Sequence, residues 1–297
     1  MLGACITFGL LAPVSKSLFG TGLVSAYALT MMRMGGGTVV FWIASLFTRR
    51  EHVPPRDLLL FFFASLLGIV LNQGTYVLGV SKTSPIDASV VTTTTPIFVM
   101  IIAALYLREP ITGKKILGVV VGAAGALLLI LSGAHLVSGR TGSGSVSGDL
   151  LCLFAQLSFA TYFVVFKKLI SRYSPVTLMK WMFLYATACC LPFGYSDLKA
   201  VGWADYAQIA YVVLGATFLA YLLMPIGQKN LRPTVASSYN YVQPLVATLV
   251  AVSLGMDTFG WLKGVAVLLV FAGVYIVTIS KSRAQLEAEA GRGSASR

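Results

Sequence analysis

Ser89, Thr92, Thr93 and Pro96 fall at i, i+3, i+4 and i+7, a spacing that puts all four on one helical face. Ser237, Asn240, Tyr241 and Pro244 repeat that spacing 148 positions later. Both sets lie in apolar stretches, where hydroxyls and amides need protein or a watery cavity beside them. A proline at such depth frees a helical carbonyl, which needs the same shelter. Thr92, Thr93, Tyr239, Asn240, Tyr241 and Gln243 are therefore expected to line a solute-binding cavity, with Pro96 and Pro244 breaking their helices. The plainer alternative is that the hydroxyls bond back to their own helix and the prolines only bend it. Asn72, Gln73 and Gln156 join the set because an amide offers a solute both a donor and an acceptor. Reversible binding is the chemistry these residues can do. No enzyme is expected, since neither a nucleophile with a partner base nor a deep pair of acids is present.

The charges form a second set. Lys16 closes the first apolar run, Arg33 lies some seven residues past a short loop, and Asp87 follows Pro85, where a helix N-terminus favours an acid. These three are expected to gate the path or set its charge preference. Lys167 and Lys180 are expected to snorkel to an interface, and Glu109 to pair at the surface with Lys114 and Lys115. No carboxylate lies deep in an apolar run, so a neutral, zwitterionic or anionic solute is expected over an organic cation, with Arg33 meeting its carboxylate or lining an outer gate.

Other chemistries drop out. No Gly-rich loop with Lys-Ser/Thr is present to cradle a nucleotide. His52 and His135 are isolated in loops and suggest no metal site, and Cys5, Cys152, Cys189 and Cys190 read as small apolar residues. No cofactor is expected. The net charge of +12 invites a nucleic-acid reading, yet the cations are scattered over many loops and form no stripe, so no nucleic-acid partner is expected.

The elements that position these residues follow from composition. Of 297 residues 57% are hydrophobic and 11% charged, against about 25% charged in a soluble domain, which excludes a water-soluble globule. Runs long enough to cross a bilayer, about 20 residues each, can be drawn at 2–19, 26–47, 58–78, 86–107, 114–131, 149–167, 175–195, 205–227, 234–254 and 260–280. No cleaved signal peptide is expected. Gly79, Pro85, Ala88, Ser89, Pro96, Lys115 and Gly125 recur as Gly227, Pro233, Ala236, Ser237, Pro244, Lys263 and Gly273. Further upstream the frame drifts, with Phe8 and Lys16 opposite Phe159 and Lys167, and Arg33 opposite Lys180.

The chain is thus a doubled unit of five spans per copy, and an odd count inverts one copy relative to the other. The expected fold is an all-α integral membrane protein of ten transmembrane helices in two inverted five-helix repeats. The repeats occupy 1–131 and 149–280, joined by a Gly/Ser-rich linker at 132–148 and followed by a polar tail at 281–297. The connections after spans 2, 4, 6 and 8, with the tail, hold 15 of the 22 Lys and Arg residues, against 5 on the opposite face. That bias places both termini in the cytoplasm of a multi-pass plasma (inner) membrane protein. Membrane lipid and a small-molecule substrate are the expected partners. Gly118, Gly122 and Gly125 have a spacing that packs helices closely, within the chain or in a homodimer.

Ser84-Pro85-Ile86-Asp87-Ala88-Ser89, Thr95-Pro96 and Leu107-Arg108-Glu109-Pro110, with the Gly118/Gly122/Gly125 helix, resemble the EamA repeat of the drug/metabolite transporter superfamily. So does the second copy, from Arg232-Pro233-Thr234 through Tyr241-Val242-Gln243-Pro244 to Gly273. It departs at Gly255-Met256-Asp257, opposite Leu107-Arg108-Glu109. The resemblance implies a secondary transporter working by alternating access, with export of a small, amino-acid-like metabolite as its activity. An anion or phosphorylated-metabolite exchanger, and a non-transporting scaffold or sensor, are the alternatives.

Overall fold

The structure, a computed structural model, describes residues 1–20, 24–82, 91–134, 146–194, 203–253 and 260–280. Among the described residues the backbone is helical and no strand forms. In chain order, α1 is Leu2–Gly20, α2 Ala26–Leu46, α4 Thr95–Tyr106, α5 Gly113–Ala134, α6 Val146–Val165, α7 Pro175–Gly194 and α10 Trp261–Thr278. Between these lie three composite helices. In α3, Pro55–Ser65 passes through a π-helical stretch, Leu66–Leu71, into Asn72–Lys82. In α8, Trp203–Ala210 passes through another, Tyr211–Leu219, into Ala220–Asn230. In α9, Pro233–Ser238 turns through a 3₁₀ stretch, Tyr239–Tyr241, into Val242–Ser253. A short helix, Lys167–Arg172, follows α6.

Local chemistry explains where these helices start. Pro55, Pro175 and Pro233 open α3, α7 and α9, where a missing N–H costs nothing and the fixed φ suits the first turn. Ser25 Oγ accepts from Ala28 N at 3.0 Å, and Ser174 Oγ from Thr177 N at 3.2 Å, capping α2 and α7. At the end of α4, Arg108 takes the left-handed conformation (φ 53°) and Glu109 N donates to the Ala103 carbonyl, folding Glu109 back over the helix end.

By length and composition Tyr27–Leu46, Pro55–Tyr76, Val146–Val165 and Tyr206–Asn230 can each cross a membrane, and shorter apolar helices include Leu2–Leu11, Thr95–Tyr106, Pro175–Leu191 and Gly264–Thr278. Large apolar side chains such as Leu105, Leu268 and Tyr275 stand outward, a surface that suits lipid and is costly in water. Residues 135–145, most of the expected linker, and the tail at 281–297 lie outside the described residues.

α5 packs along α10, α2 against α7, α3 against α6, α1 against α8 and α9, and α4 against α6. The α5–α10 seam is built of absent side chains. A Cβ on Gly118 or Gly125 would meet α10 backbone at 2.7 Å and 2.8 Å, and one on Gly273 would meet the backbone of Gly122. The glycine stripe is therefore filled by a helix of the same chain. The main core gathers Phe41, Phe61, Phe163, Phe183 and Met182, all at 1% exposure or less, between α2, α3, α6 and α7.

One end of the bundle is laced by polar contacts. Glu51, in the α2–α3 connection, accepts from Ser174 N at 3.0–3.1 Å, and Arg172 pairs with Asp57 at 2.7 Å. Lys167 Nζ donates to the Leu231 carbonyl at 2.6 Å, Thr234 to Glu109 at 3.3 Å, and Arg232 to the Ser280 carbonyl at 2.6 Å. The connections after α2, α4, α6 and α8 thus share an end with the C-terminus of α10.

Candidate functional site

The polar interior is organised around Arg33, seven residues into α2 and 5% exposed. Its Nε donates to Thr217 Oγ1 at 3.1 Å, and one terminal nitrogen donates to Gln73 Oε1 at 2.9 Å. Gln73 Nε2 in turn donates to Asn72 Oδ1 at 3.0 Å and to the Tyr221 hydroxyl at 3.2 Å. Asn72 Nδ2 ends the chain on the Ala155 carbonyl of α6 at 2.9 Å. Four helices (α2, α3, α6 and α8) thereby share one network through a charged group, where hydrogen bonds are worth about 1.5–3 kcal/mol each. Phe8 and Phe183 set their rings edge-on to Tyr221, centroids 5.4 Å and 5.1 Å away, and wall the cluster.

The π-helical stretches position this network. Widening the helix shifts which carbonyls and side chains face inward, a device common at functional sites. Thr217 sits within the α8 stretch and donates to the Val212 carbonyl while accepting from Arg33. Asn72 and Gln73 follow directly on the stretch in α3, as Tyr221 follows closely on that in α8.

Two smaller polar clusters flank the network. Thr95 Oγ1 lies 2.7 Å from Gln156 Oε1 and 2.8 Å from the Thr92 carbonyl, tying α4 to α6. On the other side Cys5 Sγ of α1 lies 3.9 Å from Asn240 Oδ1, which also accepts from Gln243 Nε2 at 3.4 Å. Thr95 corresponds to Gln243 in the repeat, Thr92 to Asn240, and Gln156 to Cys5 in the upstream frame. Both clusters lie where a helix is interrupted: a turn at Thr93–Thr94 in one, the 3₁₀ stretch in the other. Pro96 and Pro244 stand in the first turn of the helical piece that resumes there, so each proline restarts a helix.

Other expected residues are placed elsewhere. Tyr241 is buried over Gly122, with its hydroxyl donating to the Val119 carbonyl of α5 at 3.2 Å, away from the flanking cluster. Tyr239 is half-buried beside α10 in a crevice of about 270 Å³ lined by Leu2, Val242, Phe271, Val274 and Tyr275. Thr93 is buried and Thr92 half-buried. Asp87 lies outside the described residues, as does the side chain of Lys16. Lys180, opposite Arg33 in the repeat, sets its ammonium over the Trp42 ring at 5.1 Å. No cluster of His, Cys, Asp and Glu able to hold a metal occurs among the described residues.

The expected surface pairing of Glu109 is corrected by the structure. Lys115 does pair with it, at 2.8 Å, but the lysine is 1% exposed and also donates to the Pro110 carbonyl at 3.0 Å. The left-handed turn at Arg108 folds the acid inward over the start of α5, which sequence spacing does not reveal. Glu51, in the loop, is buried enough to raise its carboxyl, yet hydrogen bonds from Thr177 and Ser174 outweigh that and hold it below the ordinary carboxylate value. Sequence reasoning missed Thr95 and Thr217 as members of the interior clusters. The available signal was positional, since Thr217 stands four residues before Tyr221, which is itself Gln73 in the second copy.

A family model described as the EamA-like transporter family matches residues 1–131 and 146–279. The chain is 22% identical to the uncharacterised transporter YetK of Bacillus subtilis, over 77% of this chain and 70% of the relative. It is 25% identical to an uncharacterised transporter of Archaeoglobus fulgidus over 93% and 97%, and 27% identical to a WAT1-related protein of Arabidopsis thaliana over 91% and 77%. A solved crystal structure superposes with a TM-score of 0.76 at 19% identity, covering 93% of this chain and 94% of the other, a likeness of fold.

Proposed function

Because the chain belongs to the EamA-like transporter family, we propose that this multi-pass membrane protein carries a small, amino-acid-like metabolite out across the cytoplasmic membrane by alternating access. Its ten helices act as two inverted five-helix halves, with both termini in the cytoplasm. The helix contacts support this arrangement. Exchanging the halves maps α5 with α10 onto itself, α2 with α7 onto itself, α3 with α6 onto α8 with α1, and α4 with α6 onto α9 with α1. The observation that carries the reading is the pair of matched polar clusters, Thr92/Thr95/Gln156 and Cys5/Asn240/Gln243, each joining residues of both halves beside the Arg33 network. Repeats of this kind hold substrate between them at broken helices, where unpaired backbone and side-chain groups can meet a solute.

The experiment is time-resolved flux in proteoliposomes across amino acids, amines and organophosphates, with both orientations of the protein sampled. Saturable flux of an amino-acid-like solute is the expected result. Absence of flux for every solute would favour the scaffold or sensor reading.

A further inference from the structure

Among the described residues Arg33 is a cation without an anion. The ion pairs of the described residues are Lys115–Glu109 and Arg172–Asp57, both at the laced end of the bundle. Thr217 and Gln73, the hydrogen-bond partners of Arg33, are neutral. Its second terminal nitrogen, Nη2, is buried with no hydrogen-bond partner. The Tyr162 hydroxyl of α6 is likewise buried and unpartnered, and its ring packs on Gly68 in the π-helical stretch of α3 that leads into Asn72 and Gln73. Buried polar groups are nearly always satisfied, so two orphans around one network call for a missing partner.

The chemistry of the orphans says which partner. A guanidinium only donates, and Tyr221 accepts from Gln73, which leaves its own proton to give. With the Tyr162 O–H, the cluster presents donors and a positive charge, and the acceptors nearest Arg33 are already engaged. Among the described residues an organic cation would find no carboxylate there to neutralise it. An oxyanion would find a charge-assisted donor and tyrosine hydroxyls, beside rings of Phe8, Phe159 and Phe183 that suit an apolar body. One guanidinium with one free nitrogen balances a single negative charge, so a monocarboxylate fits better than a dianionic phosphate.

We propose that Arg33 Nη2, with the hydroxyls of Tyr162 and Tyr221, forms a carboxylate-binding site at the centre of the fold, and that the transported solute is a monocarboxylate, zwitterionic amino acids included. This inference rests on the transport reading above but is tested by binding, independently of flux. The parent protein, full-length in nanodiscs, is titrated with acid/amide pairs (leucine and leucinamide, phenylalanine and phenylalaninamide), with choline and with phenyl phosphate. Its own tryptophan fluorescence and thermal shift are the readouts.

At least one acid should bind roughly tenfold or more tightly than its amide, choline and phenyl phosphate. Arg33→Gln should abolish that preference, and Arg33→Lys should keep the ranking at lower affinity. Tyr162→Phe removes a hydroxyl with no protein partner, so it should leave the melting temperature equal or higher while weakening acid binding several-fold. A merely structural role for Tyr162 would leave binding unmoved. Equal binding of acid and amide throughout the panel, or an acid preference that survives Arg33→Gln, overturns the proposal. Flux of amides or cations without acid preference would defeat this inference and spare the transporter reading. Acid binding lost in Arg33→Gln without any flux would do the reverse.

Discussion

Gln73 Nε2 donates to the Tyr221 hydroxyl across 3.2 Å, and 148 positions separate the two, the interval that relates Pro85 to Pro233. Two positions exchanged by a two-fold rotation can touch each other only near its axis. In the proposed inverted repeat this hydrogen bond therefore lies near the pseudo-two-fold axis that relates the halves. Gln73 also accepts from Arg33, so Gln73→Leu strands a buried guanidinium and should cost about 2–3 kcal/mol, whereas Tyr221→Phe should cost about 1 kcal/mol. The double variant should lose less than the two singles together, because they share one bond. Denaturation in detergent measures all three, and strict additivity would show the pair to be uncoupled.

The α5–α10 seam makes a sharper stability test. Gly273→Ala directs a methyl at the Gly122 backbone, which cannot move aside, and should destabilise by about 1–3 kcal/mol. Gly264 of the same helix has nothing within 4 Å of a built Cβ. Gly264→Ala should thus be neutral or stabilise by up to about 1 kcal/mol, through helix propensity. Equal melting temperatures for both variants would mean that the helices stand further apart.

The flanking clusters are proposed to touch solute, so Asn240→Leu and Thr95→Val should reduce flux while expression stays near normal. Asn240→Leu should cost more, since it loses two N–H donors and a carbonyl acceptor where Thr95→Val loses a single hydroxyl. Tyr241→Phe should behave differently. Its hydroxyl serves the Val119 carbonyl, so about 1 kcal/mol of stability should go while flux persists. Flux assays paired with melting curves separate these outcomes, and a flux defect in Tyr241→Phe without loss of stability would return that residue to the solute path.

Glu51 gives the laced end a pH dependence. Its folded pKa lies below the ordinary value, so the contribution of its contacts to Ser174 and Thr177 is complete above the unfolded pKa of about 4.3 and fades as pH falls through the lower folded value. The parent should hold its melting temperature from neutral pH down to that range and lose it below. Glu51→Gln should melt lower at neutral pH and show a shallower acid decline, measured by thermal scans across pH in one detergent. A steeper decline in the variant would contradict the sign.

Topology follows from the end at which the basic connections gather. Reporter fusions after Arg50, Lys115, Lys168, Arg232 and Arg297 should report the cytoplasm, and one after Arg140 the opposite side. If Arg140 and Arg297 report one compartment, the odd span count per half fails.

Much of the architecture was legible in the chain because its causes are local or periodic. Apolar runs of bilayer length announce helices, prolines at 55, 175 and 233 mark where three of them start, and recurrence at 148 residues exposes the duplication. The polar residues of the interior could be chosen by type alone, since an amide or guanidinium inside an apolar run must find a partner somewhere.

Which partner it finds depends on contact, and contact is tertiary. Arg33 meets Thr217 across 184 positions, Gln156 meets Thr95 across 61, and neither separation is a helical period. The π-helical stretches at Leu66–Leu71 and Tyr211–Leu219 arise where tertiary packing outweighs ordinary helix geometry, and the left-handed turn at Arg108 carries Glu109 inward to a buried lysine. Tyr241 shows the limit most plainly. Its spacing put it on the face of Asn240, but a 3₁₀ turn changes the angle per residue, and its ring fills the space left by Gly122.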